Sequence, residues 1–202
     1  MALILERLCK KYMREVDDFC CGIEYVALED FLKGEAFSYN YNGEGNTYVL
    51  WSDKLNRIVA YYTLRCNSII MEDSSKENDK LSVIPSIELS RFAVDHRNQN
   101  NHLGQDIFWN YIIPQIYYIR KLIAVEAILV FSLDDARALH VYKNLGFEEM
   151  PNKLQTTIEY DNEKCISMII ELKNNEKLFK KIEQNSMGVN DIEKIIKDNP
   201  EF

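Results

Sequence analysis

The chain has 202 residues, of which 47% are apolar and 28% charged, and its formal net charge is -8. This composition is typical of one globular domain, with or without an appendage, and it excludes disorder over most of the chain. The acidic net charge disfavours broad affinity for nucleic acid or anionic membrane, because phosphate binding depends on clustered Lys and Arg. It is compatible with a local basic groove.

The cysteines are five in number and fit no zinc-binding spacing: Cys9, Cys20, Cys21, Cys66 and Cys165. We therefore predict reduced thiols and no metal site. The sequence shows no signal-like start and no apolar run of the roughly 18 residues that span a bilayer. These features predict a cytoplasmic protein that does not contact a membrane.

The first predicted elements form an antiparallel unit. Residues 3–8 fit either a strand or the first turn of a helix, and residues 27–37 place apolar side chains at helical spacing. Turn chemistry over residues 40–46 precedes two β-branched and aromatic runs, 47–51 and 58–70, which predict the strands of a hairpin.

The following segments predict a strand, a helix and a strand. After a polar loop over residues 72–80, residues 86–94 are a predicted central strand. A helix is predicted over residues 103–120, with Pro114 kinking or ending it. The almost entirely apolar run 122–131 predicts a strand that is covered on both faces.

The last predicted elements complete an α/β chain. A helix over residues 135–145 is closed by Gly146, and residues 166–172 are a last strand with which residues 156–160 pair. Residues 173–202 are predicted to form a helical extension that packs on the domain or serves as a dimer arm. The alternation of strands and helices after an antiparallel start predicts a mixed sheet with helices on both faces.

Strict alternation along the central strand assigns its side chains to two faces. One face is predicted to carry Ile87, Leu89, Arg91 and Ala93, and the other Glu88, Ser90, Phe92 and Val94.

The junction after the central strand reads Q-N-N-H-L-G, residues 99–104. A helix beginning there exposes unpaired N–H groups at the sheet edge where ligands of α/β proteins bind. On this ground alone, a phosphate cradle and a plain structural turn remain equal alternatives.

The spacing of this junction resembles the Q/R-x-x-G-x-G/A motif of the GNAT superfamily of N-acetyltransferases, whose backbone amides bind the pyrophosphate of acetyl-CoA. The resemblance implies acetyl-CoA as cosubstrate and a GNAT-like α/β fold, in which a mixed, mostly antiparallel sheet is flanked by helices. His102 stands where the first glycine of the motif usually stands, and it either contacts a phosphate or caps the turn. The implied cofactor-binding residues are Phe92, Ala93, Val94, Gln99, Asn100, Asn101, His102, Leu103, Gly104 and Asp135.

A second stretch, A-R-A-L-H-V-Y-K-N-L-G-F at residues 136–147, resembles the A-x-x-x-Y-x-x-x-G-F motif of the same superfamily. The resemblance implies that Tyr142 protonates the departing thiolate of CoA, which a phenol with a pKa of about 10 can do. Asp135 lies where many members carry Asn or Asp near the pantetheine arm, and capping of the helix is its alternative role.

Glu88 resembles the strand carboxylate that serves as general base in the histone-acetylating branch, and a salt-bridged Glu, with Arg91 as a partner, is the alternative. The backbone of Phe92 and Val94 is expected to pair with the pantetheine amides. A main-chain N–H near Phe92 would then polarise the thioester carbonyl.

The longest resemblance is to the acetyltransferase toxins of bacterial toxin–antitoxin pairs. F-C-C-G-I-E-Y-V-A-L-E-D-F-L, from residue 19, is similar to their F-x-C-G-x-x-x-L-D-x-F-L opening, and the match continues in order over about residues 17–172. Members of that branch acetylate aminoacyl-tRNA and are held in check by a small DNA-binding antitoxin. This chain departs from them in its acidity and in Glu88, where they usually carry an apolar residue.

Three hypotheses remain open. The first is an N-acetyltransferase, formed by residues 1–172 with the extension 173–202, that transfers acetyl directly to a primary amine of unknown identity. The second is a toxin that acetylates aminoacyl-tRNA and has tRNA and an antitoxin as partners. The third, suggested by His102, is a CoA-binding or protein-interaction module without catalysis. Homodimerisation is compatible with each of these hypotheses.

Overall fold

A computed structural model describes residues 3–72, 81–150, 159–160 and 163–172. The predicted polar loop, beyond its first residue, and the predicted C-terminal extension lie outside the described residues. So do most of the residues predicted to pair with the last strand.

The strands of the described chain form a mixed sheet in the order β1-β2-β3-β4-β5-β8-β6, and β7 pairs with β8. Every described pairing is antiparallel except that of β4 with β5. This arrangement confirms the predicted hairpin, central strand and mostly antiparallel sheet. The strands are β1 Ile4–Arg7, β2 Asn46–Ser52, β3 Arg57–Glu72, β4 Leu81–Val94, β5 Ala127–Leu133, β6 Glu148–Glu149, β7 Glu159–Tyr160 and β8 Glu163–Glu171.

The N-terminal helices are α1 Met13–Asp17, α2 Val26–Asp30 and α3 Ala36–Tyr41, and the π-helical turn Phe31–Glu35 joins the last two. Residues 26–41 are therefore one continuous helical segment. It is longer than predicted, because residues 40–41, taken for a turn, form the last residues of α3. The helix 27–37 itself is confirmed.

The helix after β4 does not end at Pro114. It consists of α4 Leu103–Ile107, a π-helical turn Phe108–Ile112, and α5 Ile113–Leu122. The N–H of Ile113 donates to the carbonyl of Phe108, five residues back. A wider turn immediately before the proline shifts the hydrogen-bond ladder, so the missing N–H of Pro114 does not interrupt the helix.

The strand predicted over residues 122–131 begins later, at Ala127. Leu122 is the last residue of α5, and Ile123 is 51% exposed in the connection that follows. The apolar run thus spans a helix end, a loop and a strand, and apolar composition alone does not separate these. The last predicted helix is confirmed as α6, Ala136–Asn144, which is followed by Gly146 in a left-handed conformation.

The predicted alternation of β4 is wrong beyond Leu89, because a β-bulge interrupts the pairing with β3. Thr63 pairs with Arg91 and Leu64 with Leu89, so Ser90 is the extra residue. A bulge adds one residue to one strand and exchanges the faces that follow. As a result, Glu88 shares a face with Arg91 and Ala93.

Two main clusters of buried side chains cover the two faces of the sheet. One includes Leu89, Phe108 and Phe147 and lies under α4, α5 and α6, while the other includes Phe31 and Tyr61 and lies under α1–α3. The predicted helices on both faces are therefore confirmed. In the part of the chain that the structure describes, none of the helices has the length and apolarity needed to cross a membrane.

Candidate active site

The parallel strands β4 and β5 separate part-way along the sheet. Their described pairing covers Ser86–Glu88 of β4 and Ala127–Leu129 of β5. Both strands then continue, to Val94 and Leu133 respectively. The backbone of β4 beyond Glu88 therefore faces a gap instead of a neighbouring strand. We call the gap between residues 89–94 and 130–133 the β4–β5 cleft.

The loop at the end of β4 turns sharply into α4. Asn100 and His102 both have left-handed backbone conformations, with φ of 63° and 56°. The first helical hydrogen bond runs from the N–H of Asp106 to the carbonyl of His102. The N–H groups of residues 103–105 precede this bond and have no acceptor within the helix. They form a concentration of donors next to the β4–β5 cleft, as an anion site requires.

His102 takes the left-handed conformation that a glycine would adopt without strain. For an L-residue, this conformation costs about 1–2 kcal/mol, less for residues such as His and Asn that tolerate it. The imidazole is exposed and makes no capping hydrogen bond. His102 therefore caps the turn through its backbone, at the N-cap of α4, and not through its side chain, while contact with a phosphate stays a prediction.

Gly104 brings the first turn of α4 close to β4. A Cβ placed on it would lie 3.7 Å from Cγ2 of Val94 and 3.8 Å from Cζ of Phe92, which are ordinary contacts. Alanine would therefore fit here, consistent with the Gly/Ala choice at this motif position. Phe92, Val94 and Leu103 belong to the same apolar cluster. This packing fixes the loop against the strand.

The side chain of Gln99 links the loop to two other backbone segments. Its Nε2 donates to the carbonyl oxygens of Val94 and Cys21, each at 2.9 Å. One amide group thereby joins the end of β4 to the connection between α1 and α2. We define this connection, residues 18–25, as the α1–α2 connection.

Asp95, the residue after β4, also binds the α1–α2 connection. Its buried carboxylate accepts hydrogen bonds from Arg97 Nε and Nη2, at 2.8 and 2.7 Å, and from the N–H of Cys20 at 3.4 Å. Burial of this carboxyl opposes its ionisation, but the hydrogen bonds and charge of Arg97 prevail and lower the pKa of Asp95.

Tyr142 lies on α6, with its ring 5.5 Å from that of Phe147 in an edge-to-face contact. The residue as a whole is partly exposed, but its hydroxyl is desolvated. Desolvation raises the pKa of Tyr142 to about 12, while the charge of Arg91 opposes this increase. A phenol with this pKa is protonated at neutral pH.

Asp135 caps α6. Its Oδ1 accepts hydrogen bonds from the N–H groups of Arg137 and Ala138, at 2.9 and 2.8 Å. The structure thus confirms the capping alternative. A contact of Asp135 with the pantetheine arm stays a prediction.

Glu88 is fully buried at the last paired position of β4, where the cleft begins. Its Oε2 accepts hydrogen bonds from Arg65 Nε at 2.8 Å and Asn67 Nδ2 at 2.6 Å. The expected alternative of a salt-bridged Glu is therefore confirmed, but its partner is Arg65, which the register of β3 places opposite Glu88, and not Arg91. Arg65 was not predicted, because no local pattern reveals which residue of β3 lies opposite Glu88.

The second oxygen of Glu88, Oε1, is buried and has no hydrogen-bond partner among the residues that the structure describes. A buried acceptor of this kind is costly to leave unpaired. The carboxylate therefore presents one satisfied oxygen and one that lacks a donor.

Among proteins of known function, a tRNA-acetylating toxin of Mycobacterium tuberculosis (strain ATCC 25618 / H37Rv) is 30% identical over 128 residues, which are 62% of this chain and 74% of that toxin. The chain belongs to the tRNA-acetylating toxin family. Membership confirms the resemblance to GNAT acetyltransferase toxins and the predicted class of enzyme, an acetyltransferase. No family model matches the chain.

Solved structures share the fold of this toxin-family chain. The toxin AtaT complexed with acetyl-methionyl-tRNAfMet has a TM-score of 0.67 at 22% identity, over 88% of this chain and 99% of AtaT. A tyrosine-to-phenylalanine mutant of AtaT bound to acetyl-CoA and the C-terminus of the antitoxin AtaR has a TM-score of 0.64 at 23% identity, over 88% and 98% of the two chains. The predicted GNAT-like fold is confirmed.

Proposed function

We propose that this member of the tRNA-acetylating toxin family transfers the acetyl group of acetyl-CoA to the α-amino group of an aminoacyl-tRNA. The observation that carries the proposal is the β4–β5 cleft, because the donor-rich loop follows β4 at its end and α6, the helix that carries Tyr142, follows β5 there. The acceptor is proposed from the 30% identical relative, which is a tRNA-acetylating toxin. Aminoacyl-tRNA is used in the cytoplasm, which is where we place the protein.

We expect acetyl-CoA to bind in an extended form along this cleft. The N–H groups of residues 100–104 would hold its diphosphate, and the backbone of Phe92–Val94, for which no β5 pairing is described, would pair with the pantetheine amides. Acetyl-CoA would supply a thioester, which is an activated acyl group. The residues of this chain would orient the thioester and manage the protons of its reaction with an amine.

Tyr142 is proposed as the acid. With a pKa of about 12, it is protonated at neutral pH and can donate a proton to the leaving sulfur. A thiolate ordinarily has a lower pKa than this phenol, near 8.5, so full transfer in water would be unfavourable. Inside the cleft, however, desolvation also raises the basicity of the thiolate, which reduces the mismatch.

Glu88 is proposed to receive the amine. None of the residues that the structure describes donates to its Oε1, and an incoming ammonium or amine would supply a donor. Arg65 and Asn67 hold the other oxygen and thereby fix the plane of the carboxylate. The acetyl group would pass directly to the amine. No cysteine nucleophile is needed, and burial raises the pKa of the nearby Cys21 thiol to about 11, which suppresses its thiolate.

Acetylation of aminoacyl-tRNA would make the protein a toxin. The toxin AtaT forms a complex with the C-terminus of the antitoxin AtaR, and we propose an antitoxin protein as the partner that restrains this chain. Homodimerisation and the packing of residues 173–202 on the domain of residues 1–172 stay predictions.

A translating extract tests this function. Wild-type protein with acetyl-CoA should arrest protein synthesis, whereas Tyr142→Phe should arrest it at least about 100-fold more slowly, because a general acid commonly contributes a factor of 10²–10⁴. The dissociation constant of acetyl-CoA, measured by calorimetry, should be the same for both proteins, since the substitution removes only the hydroxyl. Normal translation in the presence of active wild-type protein and acetyl-CoA would contradict the proposed acceptor.

A further inference from the structure

A cavity of about 240 Å³ lies between the segments that follow β4 and β5. Residues 21–25 of the α1–α2 connection form one wall, and Gln99 and Arg137 form the rest. Gln99 begins the loop after β4, and Arg137 lies in the first turn of α6, just after β5. The cavity therefore lies where the β4–β5 cleft opens at the carboxyl ends of the two strands, and we call this region the mouth of the cleft.

Arg137 crosses this mouth and is held by three contacts. Its Nη1 lies 2.7 Å from Oε2 of Glu24, and its Nη2 lies 3.5 Å from Oε1 of Gln99. The centre of the guanidinium is 5.6 Å from the centre of the Tyr25 ring. The side chain thus connects α6 to the α1–α2 connection and to the first residue of the donor-rich loop.

These contacts hold Arg137 weakly. The side chains of Arg137 and Glu24 are 52% and 65% exposed, and ion pairs of such exposure contribute little because water screens them. The contact with Gln99 is at the distance limit of a hydrogen bond. A cation in the first turn of a helix is also disfavoured by the helix dipole. An anion with more charge than one carboxylate would therefore compete successfully for this guanidinium.

We propose that Arg137 exchanges partners, leaving Glu24 and binding the diphosphate of acetyl-CoA when the cofactor enters. This inference rests on acetyl-CoA as the donor in the proposed function and is independent of the acceptor. A diphosphate on the N–H groups of residues 100–104 lies beside Gln99, which Arg137 already reaches. Guanidinium binds phosphate through two parallel hydrogen bonds, an arrangement for which Arg is better suited than Lys. The Glu24–Arg137 pair then acts as a latch that opens as the cofactor binds.

The latch is tested by binding, without any acceptor. Arg137→Met keeps much of the aliphatic stem, removes the charge, and should raise the dissociation constant of acetyl-CoA about tenfold, as expected for a charged hydrogen bond. S-acetylpantetheine lacks the diphosphate, so its affinity, measured by ligand-observed NMR, should not change. Lys143→Met is the matched control, because Lys143 is a cation of the same helix that pairs with Glu149 at 2.6 Å. It should leave both affinities unchanged.

Glu24→Gln tests whether Arg137 leaves Glu24 for the diphosphate or whether the Glu24–Arg137 ion pair stays intact when acetyl-CoA binds. If Glu24 competes with the diphosphate, its neutralisation should leave acetyl-CoA binding unchanged or tighten it by up to about fivefold, the range of an exposed ion pair. A loss of affinity as large as that of Arg137→Met would overturn the exchange, because the pair would then support the site structurally. Unchanged acetyl-CoA binding in Arg137→Met, or equal losses for acetyl-CoA and S-acetylpantetheine, would also overturn it.

Discussion

At the scale of single residues, His102 shows how the loop tolerates a departure from its motif. The position requires a left-handed backbone, with φ of 56°, and not the absence of a side chain. Because the imidazole is exposed, it does not occupy the space behind the loop. The conformation and the open N–H groups are thus compatible with histidine, and the third hypothesis, a module without catalysis, loses the observation that suggested it.

Substitutions of His102 should separate backbone strain from ligand binding. His102→Gly relieves the strain but adds freedom to the unfolded chain, so the free energy of unfolding should rise by at most about 1 kcal/mol. His102→Val places a β-branched residue in the same conformation and should lower it by about 1–2 kcal/mol. Urea denaturation measures both changes. Equal stability of the two variants would show that residue 102 does not hold a left-handed conformation in solution.

At the scale of elements, the α1–α2 connection is held to the end of β4 by polar contacts. Asp95 and Arg97 form the centre of this network, and the N–H of His96 donates to the carbonyl of Cys20 at 2.7 Å. Arg97 also donates to the carboxylate of Asp18 at 3.0 Å. Since the connection forms one wall of the mouth of the cleft, this network positions the site as well as stabilising the fold.

The Asp95 network should make stability depend on pH in a defined window. The pKa of Asp95 is lowered in the folded state, so its ionised form stabilises the protein above its unfolded pKa of about 3.9, and this stabilisation is lost as the pH falls through the lowered value. At pH 7, Asp95→Asn should reduce the free energy of unfolding by about 2 kcal/mol, because Arg97 and the N–H of Cys20 lose a buried anion. The difference from wild type should shrink below pH 4.

Asp18→Asn is the control for this experiment. Asp18 contacts the same guanidinium, but its side chain is 62% exposed, so the change should be within about 0.5 kcal/mol at any pH. Denaturant titrations between pH 3 and 7 measure all three proteins. An equal loss for the two substitutions would mean that burial does not set the strength of the network.

The elements differ in how far the sequence predicts them, for physical reasons. Local patterns sufficed for the hairpin, for the central strand and for α6 with its Asp135 cap, because period, propensity and capping are local properties. The bulge at Ser90 depends on register with β3, which local alternation does not encode. For the same reason, the motif predicted Glu88 as a site residue but did not identify Arg65 as its partner.

Local sequence patterns did not predict the β4–β5 cleft. Each motif identified residues, such as Gln99 and Tyr142, but the separation of β4 from β5 is a property of two strands together. The latch residues Glu24 and Arg137 are 113 positions apart. The one local signal for Arg137 was a cation in the first turn of a helix, which the dipole disfavours.

At the scale of the whole molecule, the net charge of -8 restricts how the proposed substrate, an aminoacyl-tRNA, could be bound. Affinity from many phosphate contacts requires a basic surface, and each contact adds to the salt dependence of binding. We therefore expect recognition to concentrate on the aminoacylated 3′ end and on few phosphates. Acetylation would then depend on the amino acid and its ester more than on the body of the tRNA.

The most direct test of the proposed function is mass spectrometry of the acceptor itself. Charged tRNA is incubated with acetyl-CoA and the protein and then digested with nuclease, and the terminal aminoacyl-adenosine is weighed. If the proposed function is correct, wild-type protein should add an acetyl group to the α-amino nitrogen, and Tyr142→Phe should add it at least about 100-fold more slowly. Acetyl-CoA consumption without any acetylated aminoacyl-adenosine, or equal acetylation by Tyr142→Phe, would contradict it.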